Sequence, residues 1–407
     1  MFSQEEILDV LKKWNYWEKE SNTGILREQY TRKISEYLDT KEVLFLKGIR
    51  RSGKSTIMKQ LMKSLYERGV DKKRILYINL EDVTFLEQRN VHLLEVIYQT
   101  FQTYSNSTDK LYLFLDEIQV IESWEQWVRT YYDREENVKF VISGSNASLL
   151  SGELATKLTG RQRTFYIKPL SYSEYGTFVK NPSIEEYLEY GGFPEVVLQT
   201  DVTKKRELLQ DYFDDVLNKD VIARYAISNT DAVHAIAKIV LGNSGGKVSF
   251  NKIAKHLSIS DSLVATCIGY MINAFLLKRV SFHSYSITKR HSVLTLPKYY
   301  AVDVGFVSIA SLGYTKDLGK KYETVVLNII DDGRSDISYW DGDGEIDFII
   351  ENNAITVTFT DDIPEREYTA FKKFKAYDKF IVTKSVSRTE KGITLLPLDV
   401  FSLKLLR

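Results

Sequence analysis

Short, solidly apolar runs alternate with amphipathic segments in the first part of the chain. The apolar runs are EVLFLKG, RILYINLE, LYLFLDE and VKFVISGS. Segments such as KSTIMKQLMKSLYERG, VHLLEVIYQTFQTY and SWEQWVRTYYDR, which follow the first three runs, have apolar positions at the spacing of a helix. Buried strands that alternate with helices predict an α/β fold with a parallel sheet covered on both faces.

The pattern changes after Pro169. Three segments with helical spacing come first, and three shorter helical units and the strand-like run LLKRVSFHSYS follow. Ser249 and Ser260 are placed to cap two of those helices, and three helices before a strand predict a winged helix-turn-helix. From about Pro297 the runs EIDFIIE and AITVTFT predict a hairpin within a small α/β domain. The predicted domains are an α/β domain with an N-terminal helical segment at 1–170, a helical lid at 171–230, a winged helix at 231–296 and a last α/β domain at 297–407.

Composition narrows the function classes. The 407 residues include 55 basic and 55 acidic ones, so that the formal net charge is zero, and any contact with DNA must be local. Cys267 is the single cysteine, which excludes a disulfide framework and fits a reducing compartment. Because the chain has no apolar run of about 18 residues, a membrane span is not expected, and we expect a cytoplasmic protein.

The segment GIRRSGKS matches the pattern G-x-x-x-x-G-K-S in full. It follows a predicted buried strand and begins a predicted helix, which is the context of a phosphate-binding loop. Its glycines let the backbone approach phosphate oxygens closely. The pattern predicts that Lys54 contacts the β- and γ-phosphates of ATP and that the Ser55 hydroxyl holds Mg²⁺. The predicted binding residues of this loop are Gly48, Arg50, Arg51, Ser52, Gly53, Lys54, Ser55 and Thr56.

A second motif ends the apolar run LYLFLDE. Asp116 is predicted to hold Mg²⁺, directly or through water, and Glu117 to accept the proton of the attacking water. Two acids at a strand end are usually only solvated. The phosphate-binding loop in the same chain makes the catalytic interpretation the stronger one.

Two weaker signals lie downstream. Ser145 or Asn146, at the end of the fourth run, is a candidate contact for the γ-phosphate, and an ordinary polar turn is an equal alternative. In LTGRQR, Arg161 is a candidate arginine finger, in the same chain or from a neighbouring subunit, and Arg163 is a weaker one. Exposed arginines without such a role are commoner.

The predicted recognition helix, SDSLVATCIGYMINAF, contains no lysine or arginine. Sequence reading in the major groove usually needs arginine, asparagine or glutamine side chains. The helix therefore favours a packing role over non-specific DNA contact, and argues strongly against sequence-specific binding. The basic residues that remain available for phosphate contacts are Lys252, Lys255, Lys278, Arg279, Lys289 and Arg290.

An ordered set of segments resembles one known family. GILREQY, GIRRSGKST, LDEIQVIESWEQW, SGSNASLLSGELATKLTGRQRTF, KPLSYSEY and GGFPEVV occur in this order. The set resembles the prokaryotic, largely archaeal, AAA+/STAND-like P-loop ATPases with a winged helix and a C-terminal restriction-endonuclease-like domain. This resemblance implies that Lys54, Ser55, Asp116 and Glu117 form the ATP site and that Arg27 lies near the nucleotide.

The resemblance also implies a nuclease-like site in the last domain. That fold normally uses a helical Glu, a strand Asp and a Glu-x-Lys pair on the next strand. Glu323 and Asp347 match the first two positions, but Thr356 and Thr358 stand where Glu and Lys should be. Threonine is a poor Mg²⁺ ligand beside carboxylates, so nuclease activity is not expected.

The predicted function is a Mg²⁺-dependent ATPase that couples hydrolysis to conformational change of its other domains, in a DNA transaction or in defence. In the alternative, hydrolysis is slow, and bound ATP gates contact with a protein partner. The oligomeric state and the pathway stay open.

Overall fold

The computed structural model describes residues 2–15, 17, 22–134, 137–146, 160–284, 295–311, 318–333, 335–342, 344–374 and 377–405. The chain forms two compact units, Met1–Ile167 and Lys168–Arg407. It passes from one unit to the next at a single peptide bond. Within the described residues, no helix combines the length and the apolar character that crossing a membrane requires.

A parallel sheet forms the centre of the first unit. Its strands are β1 (Val43–Lys47), β2 (Ile75–Asn79), β3 (Leu111–Asp116), β4 (Val138–Gly144) and β5 (Gln162–Tyr166). They lie in the order β2-β3-β4-β1-β5, and all four neighbouring pairs are parallel. The first four are the predicted strands. The sequence did not indicate β5, because it is an edge strand in which only Phe165 is buried.

Helices cover both faces of this sheet. They are α1 (Gln4–Trp14), α2 (Glu28–Ser35), α3 (Lys54–Glu67), α4 (Val91–Ser105) and α5 (Trp124–Asp133), with 3-10 turns at Lys72–Arg74, Val83–Gln88 and Ile118–Val120. Alternate residues of one strand enter different cores: Val43 and Phe45 pack with α1 and α4, and Leu44 and Leu46 pack with α3. Burial on both faces explains the uninterrupted apolar runs.

Eleven helices occur among the described residues of the second unit. They are α6 (Tyr172–Phe178), α7 (Ile184–Tyr190), α8 (Pro194–Leu198), α9 (Val202–Asp215), α10 (Thr230–Gly242), α11 (Phe250–Leu257), α12 (Asp261–Asn273), α13 (Val304–Ala310), α14 (Leu318–Ile330), α15 (Glu365–Ala370) and α16 (Leu398–Leu405). A π-helical segment, Val216–Ala223, continues α9, and a 3-10 turn, Phe371–Lys373, follows α15.

A mixed sheet runs through the second unit. Its strands are β6 (Leu277–Phe282), β7 (Lys298–Ala301), β8 (Ile337–Gly342), β9 (Gly344–Ile350), β10 (Asn353–Val357), β11 (Asp378–Thr383), β12 (Arg388–Glu390) and β13 (Ile393–Pro397). They follow the order β12-β13-β11-β10-β9-β8-β6-β7. The predicted hairpin of β9 and β10 is confirmed by their antiparallel pairing, with Glu351 in a left-handed conformation at the turn.

The segments predicted as lid, winged helix and last domain lie together in this one unit. Strand β6, which follows the three short helices, pairs in parallel with β8 of the last segment. One buried cluster contains Tyr187 of α7, Val280 of β6 and Phe348 of β9. These segments therefore share a sheet and a core.

Two of the three short helices have the predicted caps. Ser249 Oγ accepts a hydrogen bond from the backbone N–H of Lys252, and Ser260 Oγ accepts one from that of Leu263. Among the basic residues predicted to contact phosphates, Lys278 pairs with Asp331 at 2.9 Å. Lys252, Lys255 and Arg279 are exposed, and Lys289 and Arg290 lie outside the described residues.

A buried carboxylate joins the GGFPEVV segment to α13. Asp303 caps α13 through the N–H of Gly305 at 2.9 Å and also accepts the N–H of Gly192 at 2.8 Å. Burial raises the pKa of Asp303 to about 6, although these two N–H groups act to lower it. Gly191 has φ +71, and a Cβ there would lie 1.7 Å from Asp303 Oδ1. The contact explains why a glycine precedes Gly192.

The substitution Gly191→Ala tests this contact. We expect it to lower the free energy of unfolding of the second unit by about 3 kcal/mol or more, because the new Cβ combines left-handed strain with overlap against a buried carboxylate. Gly392→Ala is the matched control, since Gly392 has φ +72 and a Cβ there would meet no atom within 4 Å. It should cost only about 1–2 kcal/mol. Equal losses in urea unfolding would contradict the account.

Candidate functional site

The loop after β1 is shaped by glycine and by left-handed turns. Gly48 has φ +155, and a Cβ there would lie 1.9 Å from the carbonyl oxygen of Ile167. Arg51 has φ 68, and Gly53, with φ 96, is the N-cap of α3. The first turn of α3 contains Lys54, Ser55 and Thr56, so its free N–H groups and the positive end of the helix dipole face the loop.

The ammonium of Lys54 turns back onto this loop. Lys54 is buried, and its Nζ donates to the carbonyl oxygens of Gly48 and Ile49 at 3.0 and 3.1 Å. The same nitrogen lies 3.8 Å from Glu117 Oε1. The structure thus brings together the cation and the carboxylate that the two sequence motifs predicted.

Hydrogen bonds from two neighbouring strands hold the Asp116 carboxylate. The hydroxyl of Tyr77, on β2, donates to Oδ2 at 2.6 Å, and the hydroxyl of Ser143, on β4, donates to Oδ1. Ser143 Oγ also accepts the backbone N–H of Glu117 at 3.0 Å. Both donors stabilise the ionised carboxylate and fix its orientation, as outer partners of metal ligands do.

Glu117 follows Asp116 in a left-handed conformation, with φ 55. Its Oε2 accepts a hydrogen bond from Gln119 Nε2, which also donates to Ser145 Oγ at 3.2 Å. Burial raises the pKa of Glu117, while Lys54 and Gln119 act to lower it. A raised pKa suits a group that accepts a proton near neutral pH.

The donor set fits a bound phosphate and a hard cation. Among the described residues, the hydroxyl of Ser52 is fully buried without a hydrogen-bond partner. A buried polar group normally has one, and a phosphate oxygen would supply it. Ser55 and Asp116 offer hydroxyl and carboxylate oxygens, the ligand types that Mg²⁺ prefers.

Comparison with known proteins agrees with these motifs. A family model described as "AAA domain" matches residues 40–176, and a model of a domain of unknown function, DUF8612, matches residues 181–317. An uncharacterized protein of Haemophilus influenzae is 30% identical over 335 residues, 74% of this chain and 82% of the relative. The chain belongs to the AAA-type P-loop ATPase family. An uncharacterized protein of Methanocaldococcus jannaschii is 28% identical over 317 residues, 73% of this chain and 68% of that protein.

Solved structures give more distant likenesses. The Walker-type ATPase PABY2304 of Pyrococcus abyssi has a TM-score of 0.49 and 16% identity, and the match covers 72% of this chain and 99% of that one. The Orc1 protein of Aeropyrum pernix, in complex with DNA, has a TM-score of 0.35 and 11% identity, with 71% and 93% covered.

The other predicted site residues lie in the loop, beside it or away from it. Arg27 contacts the loop, because its Nη1 donates to the Ser52 carbonyl oxygen at 2.8 Å. Arg50 forms a two-point ion pair with Glu81 after β2. Ser145 is buried at the end of β4, between β3 and β1.

Arg161 lies away from the phosphate-binding loop. Its backbone carbonyl accepts the N–H of Val43 at the start of β1, and its side chain pairs with Asp133 at 3.0 Å. The phosphate-binding loop leaves the other end of β1, four residues away and so about 13 Å along the strand. Within this chain Arg161 therefore does not reach the loop. Arg163 follows two residues later, on β5, and its guanidinium packs 4.0 Å from the ring centre of Tyr37.

Sequence reasoning missed Tyr77, Ser143 and Gln119. Tyr77 and Ser143 interrupt otherwise apolar runs, RILYINLE and VKFVISGS, and a lone hydroxyl in a buried strand signals a partner that needs it. Gln119 gave no such signal, because its role depends on the left-handed turn at Glu117.

The substitution Ser143→Ala tests the hydrogen bonds behind the two acids. It removes one hydroxyl and leaves an Asp116 oxygen and the Glu117 N–H without that partner, so we expect a loss of about 1–3 kcal/mol in the unfolding free energy of the first unit. Ser64→Ala is the control, because Ser64 Oγ is buried with no partner among the described residues. It should change stability by less than about 0.5 kcal/mol. Similar values for both variants in denaturant unfolding would refute the assigned network.

Proposed function

We propose that the chain is a Mg²⁺-dependent ATPase. The observation that carries the proposal is the convergence of Lys54, Asp116 and Glu117 at the carboxyl ends of β1 and β3. Lys54 Nζ lies 3.8 Å from Glu117 Oε1, and Asp116 is oriented by two hydroxyl groups. A cation, a metal ligand and a base beside a glycine-rich loop are the parts that phosphoryl transfer to water requires.

Each side chain has one task in this proposal. Lys54 exchanges the carbonyl oxygens of Gly48 and Ile49 for phosphate oxygens, and the Ser52 hydroxyl gains a partner. Ser55 and Asp116 would hold Mg²⁺, which supplies charge stabilisation to the phosphates when bound. Glu117 accepts the proton of the attacking water, and its raised pKa favours that transfer.

Coupling to the second unit is supported by the connection between the units. Ile167 N donates to the Lys47 carbonyl oxygen at 2.7 Å, directly before the phosphate-binding loop. The next residue, Lys168, donates to the carbonyl oxygens of Asn328 and Asp331 at the end of α14. The two consecutive residues at the boundary are thus each hydrogen-bonded within their own unit.

A slow, nucleotide-gated switch is the second candidate. Lys54 is hydrogen-bonded to the loop, and Glu117 is hydrogen-bonded to Gln119. Both hydrogen bonds must break before the two side chains can act on ATP. Such contacts favour a low basal rate of ATP hydrolysis, which a bound partner would raise. The partner would be a protein or the backbone of DNA, to which the exposed Lys252, Lys255 and Arg279 offer charge. Turnover that rises with duplex DNA favours the DNA partner.

The substitution Glu117→Gln tests the ATPase proposal. It keeps the size of the side chain but removes the base, so we expect ATP affinity to stay within a few fold while the turnover number falls about 10²–10⁴-fold. Phosphate release and equilibrium binding of a fluorescent ATP analogue measure the two quantities.

Glu122→Gln is its control, because Glu122 is an exposed carboxylate five residues further along with no place in the site. Its turnover should equal that of the wild type. A Glu117→Gln variant with wild-type turnover would refute the role of Glu117.

A further inference from the structure

Three carboxyl groups and one ammonium lie together in the second unit. Glu345 and Asp347 are on β9, Glu323 is on α14 and Lys298 is on β7. Lys298 Nζ lies 2.6 Å from Glu345 Oε1 and 3.6 Å from Asp347 Oδ1. The side chains of Lys298 and Asp347 are 5% and 7% exposed, so this is a buried ion pair. It lies where the resemblance to restriction endonucleases implies a metal ion.

The carboxyl groups have other protein partners as well. Asp347 Oδ2 accepts the backbone N–H of Val357 at 2.8 Å, and Glu323 Oε2 accepts the hydroxyl of Tyr300 at 3.3 Å. Thr356, which stands at the expected Glu position, turns its hydroxyl to the carbonyl oxygen of Glu345 at 3.3 Å. In the described part of the chain, no three Asp, Glu, His or Cys side chains converge on a metal-sized site.

The charges in this cluster agree with an ammonium rather than a metal. Burial lowers the pKa of Lys298, but the carboxylates of Asp347, Glu323 and Glu345 outweigh it and raise that pKa. Burial raises the pKa of Glu323 well above its ordinary value, and the Asp347 charge adds to this. The ammonium of Lys298 already pairs with Glu345 and Asp347, which leaves fewer carboxylate oxygens for a metal ion.

The residues present therefore do not fit a divalent cation. We propose that the ammonium of Lys298 takes the place of that cation, so that an internal ion pair closes the nuclease-like site and joins β7 to β9. Thr358 stands where the family pattern has lysine, and Lys298 comes from another strand, β7, where it binds the carboxylates themselves. The buried carboxylate of Asp347 would be strongly destabilising without a cation, and the ammonium of Lys298 supplies that positive charge.

The test is a Mn²⁺ titration of the full chain without nucleotide, read by electron paramagnetic resonance of free Mn²⁺ and by thermal unfolding. Wild type and Asp347→Asn should bind the same amount of Mn²⁺. Lys298→Met leaves the carboxylates without their cation, and we expect it to gain one Mn²⁺ per chain. Its Tm should rise by about 5 °C at a Mn²⁺ concentration about 100 times Kd. Adding Asp347→Asn to Lys298→Met should abolish the gain.

Lys247→Met is the matched control. Lys247 also pairs with a carboxylate, that of Asp341, but both side chains are about two-fifths exposed, at 42% and 41%. This variant should respond to Mn²⁺ like the wild type.

Two results would overturn the proposal. One is a Mn²⁺ ion in the wild type that Asp347→Asn removes. The other is a folded Lys298→Met that is indifferent to Mn²⁺. If Lys298→Met does not fold, Lys298→Gln is used in its place. The comparison of Mn²⁺ binding between wild type and Asp347→Asn tests the proposal whether or not either lysine variant folds.

Discussion

The carboxyl group of Asp116 is the group on which the geometry of the first unit's site depends. It is fully buried, and a buried charge is stable only with hydrogen-bond partners. Tyr77 on β2 and Ser143 on β4 supply them, so one side chain connects three neighbouring strands. Because Ser143 also binds the N–H of Glu117, the same interaction sets the left-handed turn that brings Glu117 to Lys54.

The same requirement organises the second unit. Asp303 is buried between two backbone N–H groups from different segments, and Lys298 is buried between carboxylates of β9. Asp303 joins parts of the chain that the sequence separates into different predicted domains, whereas Lys298 joins two strands of the predicted last domain. We infer that the Asp303 contacts, the pairing of β6 with β8 and the shared core make the predicted lid, winged-helix segment and last segment one compact unit.

Much of the first unit could be predicted from the sequence, because its signals are local. Uninterrupted apolar runs indicated four strands. The spacing of Gly48, Gly53 and Lys54 indicated a phosphate-binding loop, because few other structures need that spacing. The edge strand β5 was missed because its residues are half exposed. Tyr77, Ser143 and Gln119 were missed because their roles arise between strands that are distant in sequence.

In the second unit the sequence indicated helices, caps and the β9–β10 hairpin, all of which are local features. Thr356 and Thr358 stand where the nuclease-like pattern has Glu and Lys, so the sequence indicated only that these two groups are absent. It could not show that Lys298, from a strand far earlier in the chain, lies against Asp347, because pairing across a sheet depends on tertiary packing.

Phosphate release from ATP by the full chain with Mg²⁺ tests the central claim most directly, with wild type compared with Lys54→Met. The account predicts that the wild type hydrolyses ATP and that the variant loses at least about 100-fold in turnover. Lys63→Met, at an exposed position of the same helix, should keep the wild-type rate. A Lys54→Met protein that releases phosphate as fast as the wild type would contradict the account.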